Sequence, residues 1–271
     1  AVLMLFINPD DESRIYSDGL KLEKEARYEE ALEAWFSAMT VLEEPSFRIG
    51  RAYIRVATEQ GLSDYYAGAS SLYLWGLSGE NYGSNRDAIE EELKMLEPLL
   101  SKDDYKTLDR LRKKKDARLI GYMRGFWDTR DPTPSTPNYN ERLIEHWRRI
   151  SVARKQFNTD DHTIYGTDDR GSVYVRFGSP DRKYQDRLFL SMGDIENYCK
   201  MLECGDMNMV DIFRLHTNTK FELWIYDRPG EKMNHNMNRI FVTGTGSKFR
   251  EIDVLEELIP KRAYSLGQRY D

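Results

Sequence analysis

From residue 10 to about residue 118, apolar side chains recur every three to four positions, the period of helices with one buried face. Ile15 to Ala38 carries Gly19, Leu22, Ala31, Trp35 and Ala38, and Tyr28-Glu29-Glu30-Ala31-Leu32 opens a second helix. Residues 86–118 continue with Ile89, Leu93, Leu96, Leu99 and Leu100, break near Pro98 and Ser101, and resume with Leu108, Leu111 and Leu119. Asp131-Pro-Thr-Pro-Ser-Thr-Pro137 then packs three of the nine prolines into six positions, which no helix or central strand can cross. An ordered, extended connector anchored by Trp127 is predicted there. Asn140 to Phe157 is amphipathic again, with Leu143, Ile144, Trp147, Ile150 and Phe157 on one face. Beyond it the period falls to two. Val173, Val175 and Phe177 alternate with Tyr174 and Arg176 up to Gly178-Ser-Pro-Asp181. Phe221, Leu223 and Ile225 alternate with Glu222, Trp224 and Tyr226, and a third strand is predicted at Arg239-Ile-Phe-Val-Thr243. Residues 182–220, rich in Met, form a long connection that should contain some helix.

Ala31, Trp35 and Ala38 are a small-large-small set that lets two helices interlock, and Ala69, Tyr73 and Gly76 in Tyr66-Ala-Gly-Ala-Ser-Ser-Leu-Tyr-Leu-Trp-Gly-Leu77 repeat its spacing 38 residues later. The pair resembles tetratricopeptide repeats, with an insertion relative to their usual period. Two such units leave apolar faces that a neighbouring part of the chain, or another chain, should cover.

The later motifs resemble the GWxTD-domain family of bacterial envelope proteins. They are Phe126-Trp127-Asp-Thr-Arg-Asp131 with its proline run, Asn140-Glu141 opening a helix, Asp169-Arg170-Gly171-Ser-Val-Tyr-Val-Arg-Phe-Gly178-Ser-Pro-Asp181, Glu222-Leu-Trp-Ile-Tyr226, and Phe241-Val242. The resemblance covers roughly residues 120–255. It departs at the name-giving motif, where Tyr165-Gly166-Thr167-Asp168-Asp169-Arg170-Gly171 lacks the Trp. It implies an exported protein, periplasmic or outer-membrane associated, and a domain of unknown function that often accompanies helical repeats. It carries over no catalytic residue. Pattern and resemblance together give an α+β protein: a tetratricopeptide-like helical array over residues 1–120, a Trp/Pro-rich connector over 121–140, and an antiparallel-sheet domain with flanking helices over 141–271.

Charge narrows the function classes. The net charge is −6, and residues 1–120 hold 17 basic and 23 acidic side chains against 23 of each in 121–271. Neither part attracts phosphate-rich nucleic acid over its length, so nucleic acid partners are not expected. Cys199 and Cys204 are too few for a disulfide scaffold and have no metal-ligand company. His146, His162, His216 and His235 show no HxxxH or HxH spacing, and no Ser sits in a Gly-x-Ser-x-Gly elbow, so neither a zinc hydrolase nor an α/β-hydrolase is supported. His146 reads as a boundary residue. Gly244-Thr-Gly246-Ser-Lys248 lacks phosphate-loop spacing, and Arg110 to Arg118 reads as a solvated basic helix face. No cofactor or metal is expected. The apolar residues 1–7 cannot span a bilayer; a buried strand, a self-assembly segment and a targeting remnant compete for them, and peripheral membrane association is compatible.

Two roles remain. In the first, the helical repeats dock protein partners and no chemistry is done. In the second, Asp168, Asp169 and Arg170 bind or hydrolyse a polysaccharide or peptide beside the aromatic residues Trp127, Tyr174, Trp224 and Tyr226. Asp168-Asp169-Arg170-Gly171 also fits a plain turn: Asp caps backbone N–H groups, Arg170 pairs with a carboxylate, and Gly171 takes positive φ. Trp127 and the Pro132 to Pro137 segment are expected to pack across the sheet.

Overall fold

In a computed structural model, the described residues are 10–79, 85–136, 139–159, 163–187, 219–227, 237–243 and 248–253. They divide between a helical unit, residues 1–155, and a sheet unit, residues 156–271. The predicted apolar segment 1–7, Cys199, Cys204, Asp160-Asp161-His162, His216, His235, Gly244 to Gly246 and most of the 182–220 connection lie outside the described residues.

The helical unit holds α1 (Asp10–Lys24), α2 (Tyr28–Phe36), α3 (Ala38–Val41), α4 (Phe47–Glu59), α5 (Tyr66–Gly76), α6 (Arg86–Leu96), α7 (Lys102–Lys114), α8 (Arg118–Asp128) and α9 (Glu141–Gln156). Helix starts follow their caps: the Ser46 hydroxyl accepts the Ile49 N–H before α4, and the Ser101 hydroxyl accepts the Asp104 N–H before α7. Helix α1 packs on α2, and α4 on α5. Ala31, Trp35, Ala38, Ala69 and Tyr73 are all fully buried, so the spacing read from the sequence marks the helix contacts. At Gly19, an added Cβ would sit 2.0 Å from the Trp35 ring nitrogen, and only a glycine admits that indole, whose N–H donates to the Tyr16 carbonyl at 3.2 Å.

Three expectations are corrected here. Helix α8 occupies residues assigned to the connector, and Trp127 at its end is fully buried inside the helical unit instead of crossing the sheet. Its indole N–H donates to the Tyr73 hydroxyl at 3.3 Å, and its ring meets Phe126 edge-on. The extended part shrinks to the exposed turn after Asp131, closed by a Thr136 N–H to Thr133 carbonyl bond. Third, α9 belongs to the helical unit and not to the sheet domain. The Asn140 N–H donates to the Ser70 hydroxyl, Arg154 pairs with Glu59 at 2.9 Å, and Arg51 stacks over Trp147. Helices α8 and α9 are the cover that the two helix pairs required. With the boundary moved from 120 to 155, the acidic excess is no longer confined to the helices: 24 basic and 27 acidic side chains lie on one side, 16 and 19 on the other.

The sheet unit contains α10 (Asp169–Phe177) and an antiparallel meander of β1 (Arg182–Arg187), β2 (Lys220–Tyr226), β3 (Met237–Thr243) and β4 (Phe249–Ile252), paired in that order. The alternation in β2 reads through correctly, and β3 falls where a third strand was predicted. Residues 173–177, predicted as a strand after a turn at 168–171, belong to a helix that starts at Asp169. Their β-branched alternation imitates period two, because Val173 and Val175 are both covered. The ends decide instead: the Asp168 carboxylate accepts the Arg170 N–H at the start, and Gly178 at φ +84° with Pro180 beyond it stops the helix. Strand β1, at the start of the predicted 182–220 connection, is exposed along its whole length and rich in charge, as an edge strand tolerates.

Candidate functional site

The strongest grouping of charge in the sheet unit joins α10 to the sheet. On β2, Glu222, Trp224 and Tyr226 are buried on one face, while Phe221, Leu223 and Ile225 are half-buried on the other. Glu222 therefore carries a carboxylate to a largely dry face, and four donors meet it. Arg170 Nη1 lies 2.9 Å from Oε1, Gln185 Nε2 3.3 Å from the same oxygen, Lys183 Nζ 3.1 Å from Oε2, and the Trp224 indole N–H 2.9 Å from Oε2. Arg170 turns its other edge on Asp168, at 2.7 Å from Nη2 to Oδ2. The guanidinium stacks over Phe249 at 3.7 Å and Phe157 at 5.1 Å from the ring centroids. Two carboxylates and two cations thus balance, with Lys183 the partly exposed member of the four.

The two aspartates of the sequence motif are used the same way. Asp168 is 3% exposed and accepts N–H groups from Arg170 and Phe249; Asp169 accepts the Glu251 N–H at 2.8 Å. They tie the start of α10 to β4 and do not converge on an open cleft. Gly171 sits within the helix and does not have positive φ; Gly166, at +71°, supplies that turn. Trp224 and Tyr226 pack under this cover, Trp224 against Phe157 and Phe241, and Tyr226 against Phe177 with its hydroxyl donating to the Gly178 carbonyl. Tyr174 leans on Phe157. Of the residues singled out in the sequence, Asp168, Asp169, Arg170, Tyr174, Trp224 and Tyr226 share this layer, whereas Trp127 belongs to the helical unit. They make a core, not an aromatic groove. The sequence missed Glu222 and Lys183, although an acidic residue in phase with two large aromatics on a strand is a signal of a buried charge.

A second grouping, in the helical unit, was also missed. Glu92 on α6 is fully buried; its carboxylate accepts from Arg51 Nε at 3.1 Å and from the Tyr73 hydroxyl at 2.8 Å, and Tyr73 in turn accepts the Trp127 indole N–H. Burial pushes the Glu92 carboxyl above its ordinary range, with the Arg51 charge opposing, and burial also raises the Tyr73 phenol. Beyond Trp127 lies His146, its ring 5.3 Å away. The boundary-residue reading of His146 is overturned: it is fully buried, and among the described residues neither ring nitrogen has a hydrogen-bond partner. Burial, with Arg142 and Arg149 adding like charge, holds its pKa down to about 3. Arg51 leads outward to a groove of about 260 Å³ between α1, α4 and α6, where Arg48, Arg51 and Arg55 line up on one face of α4 beside Tyr16, Asp87 and Glu91. Arg48 pairs with Glu12, Arg51 also with Glu91 at 2.6 Å, and Arg55 with Glu23 at 2.7 Å.

Among the described residues no cluster of three or more metal-ligating side chains occurs, and no helix is long and apolar enough to cross a membrane. No family model, curated protein or solved structure matches the chain.

Proposed function

We propose that this chain is a non-enzymatic interaction or scaffold component of a bacterial cell-envelope assembly. Its helical unit, read as tetratricopeptide-like repeats, docks protein partners, and its GWxTD-like sheet unit is a rigid module. The observation that carries the non-enzymatic reading is the use made of Asp168 and Asp169. Both carboxylates hold backbone N–H groups of β4, and Asp168 also holds Arg170, so neither is poised to exchange a proton with a substrate. The polysaccharide- or peptide-hydrolysing alternative loses its proposed acid pair on the same observation.

The docking reading is supported by the recurrence of Ala31, Trp35 and Ala38 as Ala69, Tyr73 and Gly76 at buried helix contacts, and by the groove beside them. The ion pairs at the mouth of that groove are partly exposed and exchangeable, the kind of rim that sets partner choice more than affinity. Affinity purification of the full chain from bacterial envelope extracts tests it, alongside a variant carrying Arg48→Glu and Arg55→Glu. Partners retained by the native chain and lost by the folded variant support docking through the groove. Identical partners in both would sink it.

A further inference from the structure

The sheet unit contains one arrangement that its fold does not require. Arg187 of β1 stands directly opposite Lys220 of β2, the only opposed pair of like charges in the register of the described strands. Opposed residues share a face with Cβ atoms about 5 Å apart, and like charges there are destabilising. Both residues are exposed, and neither is within ion-pair distance of a carboxylate among the described residues. Of the nearby carboxylates, Glu222 is committed to Arg170 and Lys183, while Asp186 keeps its charge and, one position before Arg187, belongs to the opposite face of the sheet.

The two cations border a depression of about 540 Å³ whose other walls are Gln185, Glu222 and Phe249 together with Asp186 and Phe221 of the opposite face. That volume is in the range of small-ligand sites, roughly 300 to 1,000 Å³. The Phe249 ring carries the Arg170 guanidinium on one face, and that charge is already balanced by Asp168 and Glu222. On the face of Arg187 and Lys220, the depression thus brings two cations that have no ion-pair partner among the described residues beside the Phe249 ring.

We propose that it binds a small organic anion, with a carboxylate or phosphate group between Arg187 and Lys220 and an apolar or aromatic body against Phe249, which the register places on the same face. An anion there converts a repulsive pair into a bridged one. The Arg fork suits either oxyanion, and Lys adds a point charge. The inference concerns a different surface from the helical groove and stands or falls without it.

The test uses the full chain labelled with 5-fluorotryptophan, in which the separate fluorine resonance of Trp224, the one tryptophan of residues 156–271, reports on thermal unfolding of the sheet unit. The probes are phenyl phosphate, phenylacetate, inorganic phosphate and neutral benzyl alcohol. Millimolar aryl anions should raise the sheet unit's midpoint saturably, inorganic phosphate less, and benzyl alcohol not at all. The double variant Arg187→Gln, Lys220→Gln should keep or raise the ligand-free midpoint, because repulsion is relieved, while binding the aryl anions roughly tenfold more weakly or worse. No saturable shift with either aryl anion, or an undiminished shift in the variant, would overturn the site. Inorganic phosphate acting as strongly as phenyl phosphate would overturn the role given to Phe249.

Discussion

Both units bury a carboxylate beside a guanidinium and a tryptophan, but they balance the charge differently. In the helical unit a single fully buried carboxylate, Glu92, faces one guanidinium and a phenol. In the sheet unit two carboxylates, Asp168 and Glu222, share Arg170 and draw in Lys183 and the Trp224 indole. The first is a chain that crosses a helical core and ends near an unpartnered histidine; the second is a closed clasp. A chain concentrates the cost of losing one member, whereas a clasp spreads it over several remaining donors.

The largest effect should follow from cutting the chain at its only cation. Arg51→Met leaves Glu92 buried without a positive partner and should cost the helical unit about 3 to 5 kcal/mol in denaturant unfolding at neutral pH. The Glu92 carboxyl, already raised by burial, then rises further. A raised carboxyl binds its proton more tightly in the folded state than in the unfolded one, so the deficit should shrink as pH falls. A deficit that does not change with pH would mean that Glu92 is not the residue left stranded.

His146 gives the second test, with the opposite sign. Its folded pKa of about 3 lies below the ordinary 6.5. Above pH 6.5 the ring is neutral in both states and its contribution is complete. Below it the unfolded chain gains a proton that the folded unit refuses, so stability should fall by about 1.4 kcal/mol per pH unit down towards pH 3. His146→Leu should flatten that part of the profile and raise stability, since no hydrogen bond is lost. An unchanged slope in the variant would assign the acid sensitivity to other groups.

At the α1–α2 contact, Gly19→Ala drives a methyl group into the Trp35 indole and should cost about 1 to 3 kcal/mol through overpacking. Loss of protection at the amides of α1 and α2 in hydrogen exchange would localise the damage; uniform protection would show that the indole can yield.

How legible each unit was follows from where its decisive signals lie. Ala31, Trp35 and Ala38 were readable because interlocking helices demand small and large residues at fixed spacing. The alternation of β2 was readable because one face is drier than the other. Helix α10 was not, since nine residues are too few for periodicity to outvote two valines, and the information sat in Asp168 and Gly178 at its ends. Strand β4, four residues long, carries too little pattern to register. The placement of Trp127 and Trp147 depended on contacts with Tyr73 and Arg51 more than 50 positions earlier, and no local pattern encodes those. Charged partnerships were the least legible: Glu92 sits in an acidic run where solvent exposure is the ordinary fate.

The smallest predicted effect bears most directly on the clasp. Asp168→Asn keeps an acceptor for the Arg170 N–H and so preserves the helix cap, but it removes the charge facing the guanidinium. Because Glu222 and the rings of Phe157 and Phe249 still hold Arg170, the loss should be about 1 kcal/mol, read from the Trp224 signal. Asp168→Ala removes cap and charge together and should cost about 1 kcal/mol more, the usual worth of a capping side chain. If Asp168→Asn instead costs as much as Arg51→Met costs the helical unit, the sheet cluster is a chain with one indispensable link, and the contrast between the two units fails.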